Sequence, residues 1–257
     1  MTETARVFDL HDDAALIEAA AAVRDGKCIV LPTDTVYGIG ADAFDANAVQ
    51  GLLDAKERGR DMPPPVLIAE PSMLRAIADE VPEAAFSLAK AFWPGALTLI
   101  VKAQAKGGLQ LGETAGTVAV RVPDHDGTRE LLRQTGPLAV SSANVSGSPA
   151  AVTCGDAQEQ LGDRVAVYLD GGQAAGGVAS TIVDFAAFPE GKVLRLGALS
   201  MEQLHAVVPT IEAPAAPEPA ADEATDTDAA AAEPATDEQS EPQLTEIEPA
   251  DDASSDD

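Results

Sequence analysis

The sequence predicts an α/β fold: a twisted, mixed and largely parallel β-sheet flanked by helices, followed by a disordered acidic C-terminal tail. Two observations predict this arrangement. Short apolar segments alternate with longer amphipathic segments along the first 209 residues, which is typical of a buried sheet packed between helices. Beyond them the composition changes to Ala, Pro, Glu, Asp and Thr, without an aromatic residue. We therefore predict a folded domain over residues 1–209 and a tail over residues 210–257.

The N-terminal half of the predicted domain alternates strand and helix signals. Asp12 or Asp13 can cap a first helix, and Gly26 can end it. Apolar periodicity predicts further helices at residues 46–56, 72–79 and 82–92. Short apolar runs predict strands at residues 6–10, 28–31, 66–69, 97–101 and 118–122.

The same alternation continues to the end of the predicted domain. Helices are predicted at residues 128–134 and 155–161, and strands at residues 138–141, 165–169, 181–185 and 193–196. Ser200 and Gln203 have the spacing of a capping box, which predicts a last helix.

The acidity of the chain is concentrated in the predicted tail. The formal net charge is −27, and residues 211–257 hold 16 of the 43 acidic residues but none of the 16 basic ones. The rest of the chain therefore has 27 acids against 16 bases, and a negative field repels nucleic acid. We expect any contact with RNA to be local and weak. The tail lacks the apolar surface to offset its ordering entropy, so we interpret it as a solvated appendage rather than an interaction segment.

The composition also indicates where the protein works. The sequence has no apolar run long enough to span a membrane and no secretory signal at its start, so we expect a cytoplasmic protein. Cys28 and Cys154 are far apart in sequence and are expected to be free thiols. Three scattered histidines, His11, His125 and His205, argue against a histidine-based metal site.

Two polar segments follow predicted elements where packing does not require them. Thr33 lies in residues 32–40, Pro-Thr-Asp-Thr-Val-Tyr-Gly-Ile-Gly, where two glycines permit a tight turn close to a ligand. Lys56 and Arg58 precede the prolines at residues 63–65. Both could hold a phosphate, Lys56 as a point charge and Arg58 through its planar guanidinium. The alternatives are an ordinary turn and a helix C-terminus, which favours basic residues.

Two arginines stand in otherwise apolar strands. Arg121 and Arg195 each need a partner or a ligand there, so a buried ion pair and an anion site are both open. Ser142 and Asn144 follow another predicted strand, and Ser180 begins one. Open α/β sheets bind ligands at strand ends, although a Ser/Asn-rich turn is the alternative. No Walker-type loop, G-x-S-x-G elbow or H-E-x-x-H motif occurs, so we assign no nucleophile or base.

Together these clusters resemble the YrdC-like family of threonylcarbamoyl-AMP synthases. The resemblance covers residues 5–204 and implies a YrdC-like sheet with a concave, locally basic face. Seven segments match the family's motifs in order: PTDTVYGIGADAF at 32–44, KER at 56–58, FWPGALT at 92–98, VRVP at 120–123, SANVSG at 142–147, STIV at 180–183 and LRLG at 194–197.

The resemblance also implies an activity. The protein would make threonylcarbamoyl-AMP and pyrophosphate from L-threonine, bicarbonate or CO2 and ATP, toward threonylcarbamoyladenosine at position 37 of tRNA. Mg²⁺ would be bound through the ATP phosphates, with no protein metal site, and a separate tRNA threonylcarbamoyl transferase would use the product. The implied threonine-binding residues are Thr33, Arg121 and Ser180. The implied ATP-binding residues are Lys56, Arg58, Ser142, Asn144 and Arg195.

Two departures from the family pattern and two alternatives remain. Leu67 stands where many members have a histidine, so what replaces that threonine contact is open. Longer relatives have a second folded domain, where this sequence has the acidic tail. One alternative is an RNA-binding or ribosome-associated module of the same fold, against which the charge and the 4% aromatic content argue. The other is a carbamoyl-transfer hydrogenase-maturation relative, for which the cysteine-rich zinc spacing is missing.

Overall fold

The computed structural model describes residues 5–214, and within them strands and helices alternate along the chain. The strands are β1 (Arg6–Asp9), β2 (Ile29–Leu31), β3 (Gly38–Asp42), β4 (Val66–Leu67), β5 (Leu97–Lys102), β6 (Thr117–Arg121), β7 (Leu138–Ser142), β8 (Val167–Asp170), β9 (Thr181–Asp184) and β10 (Lys192–Arg195). The helices are α1 (Ala15–Arg24), α2 (Ala46–Ala55), α3 (Leu74–Ile77), α4 (Glu83–Phe92), α5 (Asp126–Thr135), α6 (Cys154–Leu161) and α7 (Met201–Val207). Short 3₁₀ turns occupy Pro71–Met73 and Gly162–Arg164.

The strands form one ten-stranded sheet, in the order β1-β8-β2-β3-β7-β4-β6-β5-β9-β10. The pairs β1–β8, β2–β8, β4–β6 and β5–β9 are parallel, and the other five pairs are antiparallel. The predicted α/β class with a mixed sheet flanked by helices is confirmed. Each predicted strand and helix is present, with ends that differ by a few residues.

The strand β3 is missing from the elements that the sequence predicts, because the glycines at positions 38 and 40 favour a turn close to a ligand. Both glycines instead lie in an antiparallel strand between β2 and β7. A Cβ atom on Gly38 would stand 2.6 Å from Cγ1 of Val140 on β7. The glycines therefore allow β3 to pack closely against Val140. Because glycine has a low strand propensity, the same residues hide the strand from prediction.

The two faces of the sheet are covered unequally. Helices α2, α3, α4, α6 and α7 bury their apolar residues against one face in a large core. On the opposite face α1 and α5 pack over strands near β1, β8 and β2, in a smaller core. Along β6 the side chains alternate between the two faces, so Val118 and Val120 join the large core while Ala119 and Arg121 face the opposite side. That second face is therefore left open beside α1 and α5.

The folded part extends past the predicted boundary at residue 209. Ile211 is buried, and the N–H of Val193 donates to the carbonyl oxygen of Glu212 at 2.9 Å beside the edge strand β10. Ile211 and Glu212 therefore pack against the sheet although they lie within the predicted tail, because a lone isoleucine gains burial only from an edge strand that folds beside it. The rest of the predicted tail, residues 215–257, lies outside the described residues.

In residues 5–214, no helix has both the length and the apolar character that crossing a bilayer requires.

Replacing Gly38 by alanine should lower the free energy of unfolding by about 1–3 kcal/mol, because the new methyl group would overlap Val140. Urea denaturation measures the change. Gly51→Ala is the matched control: Gly51 lies within α2, and a Cβ there would meet only Cys28 Sγ at 3.8 Å. That variant should be as stable as the wild type or slightly more stable. Wild-type stability of Gly38→Ala would contradict the close-packing role.

Ending the chain after Pro209 should destabilise the domain by about 2 kcal/mol, because Ile211 and its burial are lost. Ending it after residue 214 should leave the midpoint of thermal unfolding unchanged, since Ile211 and Glu212 remain. Differential scanning calorimetry of the two truncated proteins and the full chain separates the stability that residues 210–214 contribute from any contribution of later residues. Equal stability of both truncated proteins would show that Ile211 contributes nothing.

Candidate active site

A cavity of ≈ 500 Å³ opens on the sheet face that α1 and α5 leave uncovered. Its floor is apolar and comes from five strands or their neighbouring residues. The floor residues are Leu67, Ile100, Ala119, Val140 and Ile182. Hydroxyl, amide and guanidinium groups from strand ends and loops form its walls. An apolar floor beneath a few convergent polar groups is typical of a ligand-binding site.

The fold brings most of the predicted site residues to this cavity. Seven of the eight line it, and Lys56 does not. The seven are Thr33, Arg58, Arg121, Ser142, Asn144, Ser180 and Arg195. They belong to separate stretches of sequence, so their convergence is a property of the sheet order. Their individual roles toward a ligand stay predictions.

The guanidinium of Arg121 makes three hydrogen bonds within the protein. Its Nη2 donates to Asp34 Oδ1 at 2.6 Å, its Nη1 to Thr35 Oγ1 at 2.9 Å, and its Nε to the carbonyl oxygen of Gly95 at 3.0 Å. Three of its five N–H groups are thus used, which leaves two for a ligand. Burial lowers the pKa of Arg121, the carboxylate of Asp34 opposes that shift, and nearby Arg195 adds to it. The buried ion pair that the sequence left open is present, and the guanidinium lines the cavity with two N–H groups beyond those three bonds.

Asp34 and Thr35 were not singled out from the sequence, although both hold Arg121. The hydroxyl of Thr33 donates to the carbonyl oxygen of Val36 at 2.6 Å and accepts from the N–H of Thr35 at 3.1 Å. This turn presents Asp34 and Thr35 to the arginine. Asp34 Oδ1 also accepts from the N–H of Asp124 at 3.0 Å. The sequence does contain a signal for this contact. Asp34 stands between two threonines, and Arg121 in its apolar strand needs a partner of opposite charge.

Arg195 lines the same cavity as Arg121 and lies close enough to act on its charge. Its Nη2 donates to the carbonyl oxygen of Ser180 at 2.8 Å, and the Ser180 hydroxyl is 2.8 Å from Oγ1 of Thr98. Burial lowers the pKa of Arg195, and the charge of Arg195 lowers the pKa of Arg121. Because like charges repel, the charged form of Arg121 is less stable beside Arg195. An anion that contacts both guanidinium groups would offset this repulsion.

Arg58 has an unused buried donor. Its Nη1 donates to Ser141 Oγ at 3.2 Å, while its Nε is buried and has no acceptor among the described residues. Burial lowers the pKa of Arg58, and the carboxylate of Asp61 opposes the shift. Buried donors in proteins are nearly always paired, so this N–H is suited to an anionic ligand.

Lys56 lies behind the wall that Ser142 and Asn144 form. Only 2% of its surface is exposed, and its Nζ donates to the carbonyl oxygens of both residues. Burial and the charge of Arg58 lower the pKa of Lys56 to about 8. Direct contact of Lys56 with an ATP phosphate stays a prediction, and Lys56 is not among the residues that line the cavity.

The position of the missing family histidine is occupied by an apolar side chain. Leu67 is buried in the cavity floor, and His11, His125 and His205 are not among the lining residues. The described residues contain no group of three His, Cys, Asp or Glu side chains suited to a metal ion. This region of the cavity therefore offers packing rather than a hydrogen bond or a ligand to a metal.

The cysteines offer no nucleophile to the site. Cys28 and Cys154 are both buried and unpaired with each other. Burial raises the pKa of Cys28 to about 12 and that of Cys154 to about 11. Both are therefore thiols at neutral pH, which are weak nucleophiles. The chemistry that this cavity supports is the binding and orientation of anionic ligands.

Known proteins are similar to this chain in sequence and in fold. The Sua5/YciO/YrdC family, described as telomere recombination, matches residues 21–197. A protein of Mycobacterium tuberculosis strain H37Rv is 47% identical over 212 residues, which cover 81% of this chain and 96% of that protein. The Bacillus subtilis protein named threonylcarbamoyl-AMP synthase is 40% identical over 201 residues, which cover 77% of this chain and 57% of that protein.

The crystal structure of Pyrococcus abyssi Sua5 complexed with L-threonine has a similar fold. Its TM-score is 0.71 and its sequence identity 38%, and the match covers 77% of this chain and 58% of that chain. This chain is therefore similar to one part of a longer protein in that structure, whereas it spans nearly all of the mycobacterial relative.

Replacing Asp34 by asparagine should lower the free energy of unfolding by about 3 kcal/mol, because Arg121 would remain buried without its counter-charge. Urea denaturation at neutral pH measures this loss. Glu80→Gln is the control, since it breaks the exposed ion pair with Lys102 and should change nothing measurable. Equal stability of the Asp34 variant and the wild type would mean that the ion pair does not hold the turn.

Proposed function

Because this chain belongs to the Sua5/YciO/YrdC family, we propose that it is an L-threonylcarbamoyladenylate synthase. It is a nucleotidyltransferase that joins L-threonine, bicarbonate or CO2 and ATP into threonylcarbamoyl-AMP, with release of pyrophosphate. One observation carries the proposal: three arginines, Arg58, Arg121 and Arg195, converge on a single cavity of a domain in which acids outnumber bases. Such a concentration of positive charge fits two anionic substrates. The named relatives favour this function over an RNA-binding module.

The amino acid occupies the end of the cavity near Arg121 and Ser180. The two free N–H groups of Arg121 suit a carboxylate, and the Ser180 and Thr33 side chains surround the same end. Support comes from the Pyrococcus protein, whose structure contains L-threonine. The apolar Leu67 beside Arg121 on the neighbouring strand suits the methyl group of threonine.

The nucleotide occupies the end near Arg58, Ser142 and Asn144. The unpaired Nε of Arg58 is a donor for a phosphate oxygen, and the Ser142 hydroxyl lies in the same wall. Arg195 lines the same cavity and supplies further positive charge to the phosphates. Mg²⁺ bound by the phosphates and water would neutralise the leaving pyrophosphate, since none of the described residues that line the cavity is a carboxylate.

The reaction needs positioning more than covalent chemistry. The threonine amine attacks the carbon of CO2 and releases a proton to solvent, which gives a carbamate. A carbamate oxygen then attacks the α-phosphorus of ATP, the bond from that phosphorus to the bridging oxygen breaks, and pyrophosphate leaves. The arginines hold both anions in line and oppose their repulsion. The apolar floor shelters the carbamate, which is labile in water.

The product and its fate follow from the same proposal. Threonylcarbamoyl-AMP is a mixed anhydride, so a downstream tRNA threonylcarbamoyl transferase must use it for threonylcarbamoyladenosine at position 37. The enzyme works in the cytoplasm, where its contact with tRNA is weak or indirect because the chain is strongly acidic.

Arg121→Ala should lower kcat/KM for threonine by about 100-fold or more, because the donors to its carboxylate are lost. Pyrophosphate release and mass spectrometry of the product measure the rate with threonine, bicarbonate and ATP. Arg133→Ala is the control: Arg133 is a partly exposed arginine on α5 bonded to Glu70 and Glu130, and its removal should not change the rate. Full activity of the Arg121 variant, or no product from the wild type, would refute the proposal.

A further inference from the structure

Lys56 and Arg58 belong to one short basic motif, yet their side chains have different environments. Lys56 follows α2 as its C-terminal cap, and Glu57 then adopts a left-handed conformation with φ of 55°. This reversal directs the two basic side chains differently. Arg58 lines the cavity with a buried Nε that lacks an acceptor among the described residues, whereas Lys56 is not a lining residue.

The ammonium group of Lys56 is already saturated by the chain. It donates to the carbonyl oxygen of Ser142, to that of Asn144 at 2.7 Å, and more weakly to Asn144 Oδ1 at 3.5 Å. An ammonium has three N–H groups, and three acceptors use all of them. Nothing remains for a phosphate oxygen unless one of these bonds breaks.

The backbone of Lys56 holds the same segment as its side chain. The carbonyl oxygen of Lys56 accepts from the N–H of Ser146 at 2.9 Å. The side-chain amide of Asn144 donates to the carbonyl oxygens of Val145 and Ser148, both at 2.8 Å. Its oxygen therefore faces Lys56 and its nitrogen closes the loop. Residues 142–148 are thus tied to the end of α2 through both parts of Lys56.

We propose that Lys56 is a positioning residue that fixes residues 142–148 as the nucleotide wall, and that it does not bind phosphate. The inference rests on the proposed function for the identity of the ligand. Ser142, Asn144 and Ser148 line the cavity, and their backbone can hold one geometry only while the buried carbonyl oxygens have a donor. The phosphate charge is met by Arg58 and Arg195 instead.

Binding of adenosine, AMP and ATP to the purified full chain, measured by calorimetry, tests the proposal. A residue that shapes the wall affects all three ligands, whereas a phosphate ligand affects ATP most. Lys56→Met should weaken all three by a common factor of about tenfold. Lys56→Arg should not restore binding, because a planar guanidinium cannot serve the same three acceptors. Arg58→Gln is the matched comparison, and should weaken ATP at least tenfold more than adenosine.

Two results would overturn the proposal. One is a Lys56→Met variant that loses affinity for ATP while adenosine binds as it does to the wild type. The other is recovery of ATP affinity in Lys56→Arg. Should the variants not fold, a crystal structure of the wild type with ATP decides: Lys56 Nζ should stay on the Ser142 and Asn144 carbonyl oxygens, and its direct bond to a phosphate oxygen would refute the role.

Failure of this inference can be told apart from failure of the proposed function. Product formation by the wild type tests the function. The relative affinities for adenosine, AMP and ATP test the positioning role. A wild type that makes the product, together with an ATP-selective loss in Lys56→Met, refutes the positioning role alone. A wild type that binds none of the three ligands would refute it as well.

Discussion

The buried guanidinium of Arg121 must be satisfied by the protein, and this requirement organises the site around it. A cation in a sheet face is stable only when acceptors replace its hydration. Asp34, Thr35 and the carbonyl oxygen of Gly95 provide them, and they come from segments far from β6 in sequence. One charge therefore fixes the turn after β2 and the segment after α4 against the same strand.

The electrostatics of the cavity differ from those of the chain as a whole. Acids exceed bases in the folded part, but the lining of the cavity, within residues 5–214, contains Arg58, Arg121 and Arg195 and no carboxylate. An anionic ligand would offset the repulsion between Arg121 and Arg195. It would also give the buried Nε of Arg58 an acceptor, which the described residues do not provide. Because the floor is apolar, little water competes for these charges, and each contact with an anion is strengthened. Binding energy is thereby concentrated where phosphate and carboxylate groups would lie.

The local sequence pattern was sufficient to predict most helices and strands. It failed where glycines removed the apolar alternation and where one buried residue stood alone in a polar segment. Apolar runs and caps predict each helix and nine of the ten strands among the described residues. The strand β3 escaped because Gly38 and Gly40 have no side chains to produce alternation, and their value lies in the closeness of Val140. The end of the domain escaped because Ile211 is a single apolar residue, and only the neighbouring edge strand makes its burial possible.

The sequence by itself determined the fold class and the order of the polar clusters along the chain, because these follow from residue type and local periodicity. Only the tertiary structure decided which polar groups face the cavity. Arg58 reaches it, while Lys56, two residues earlier, holds carbonyl oxygens 86 and 88 residues away. The acceptors of a buried charge are brought to it by long-range strand pairing, and no local pattern contains that information.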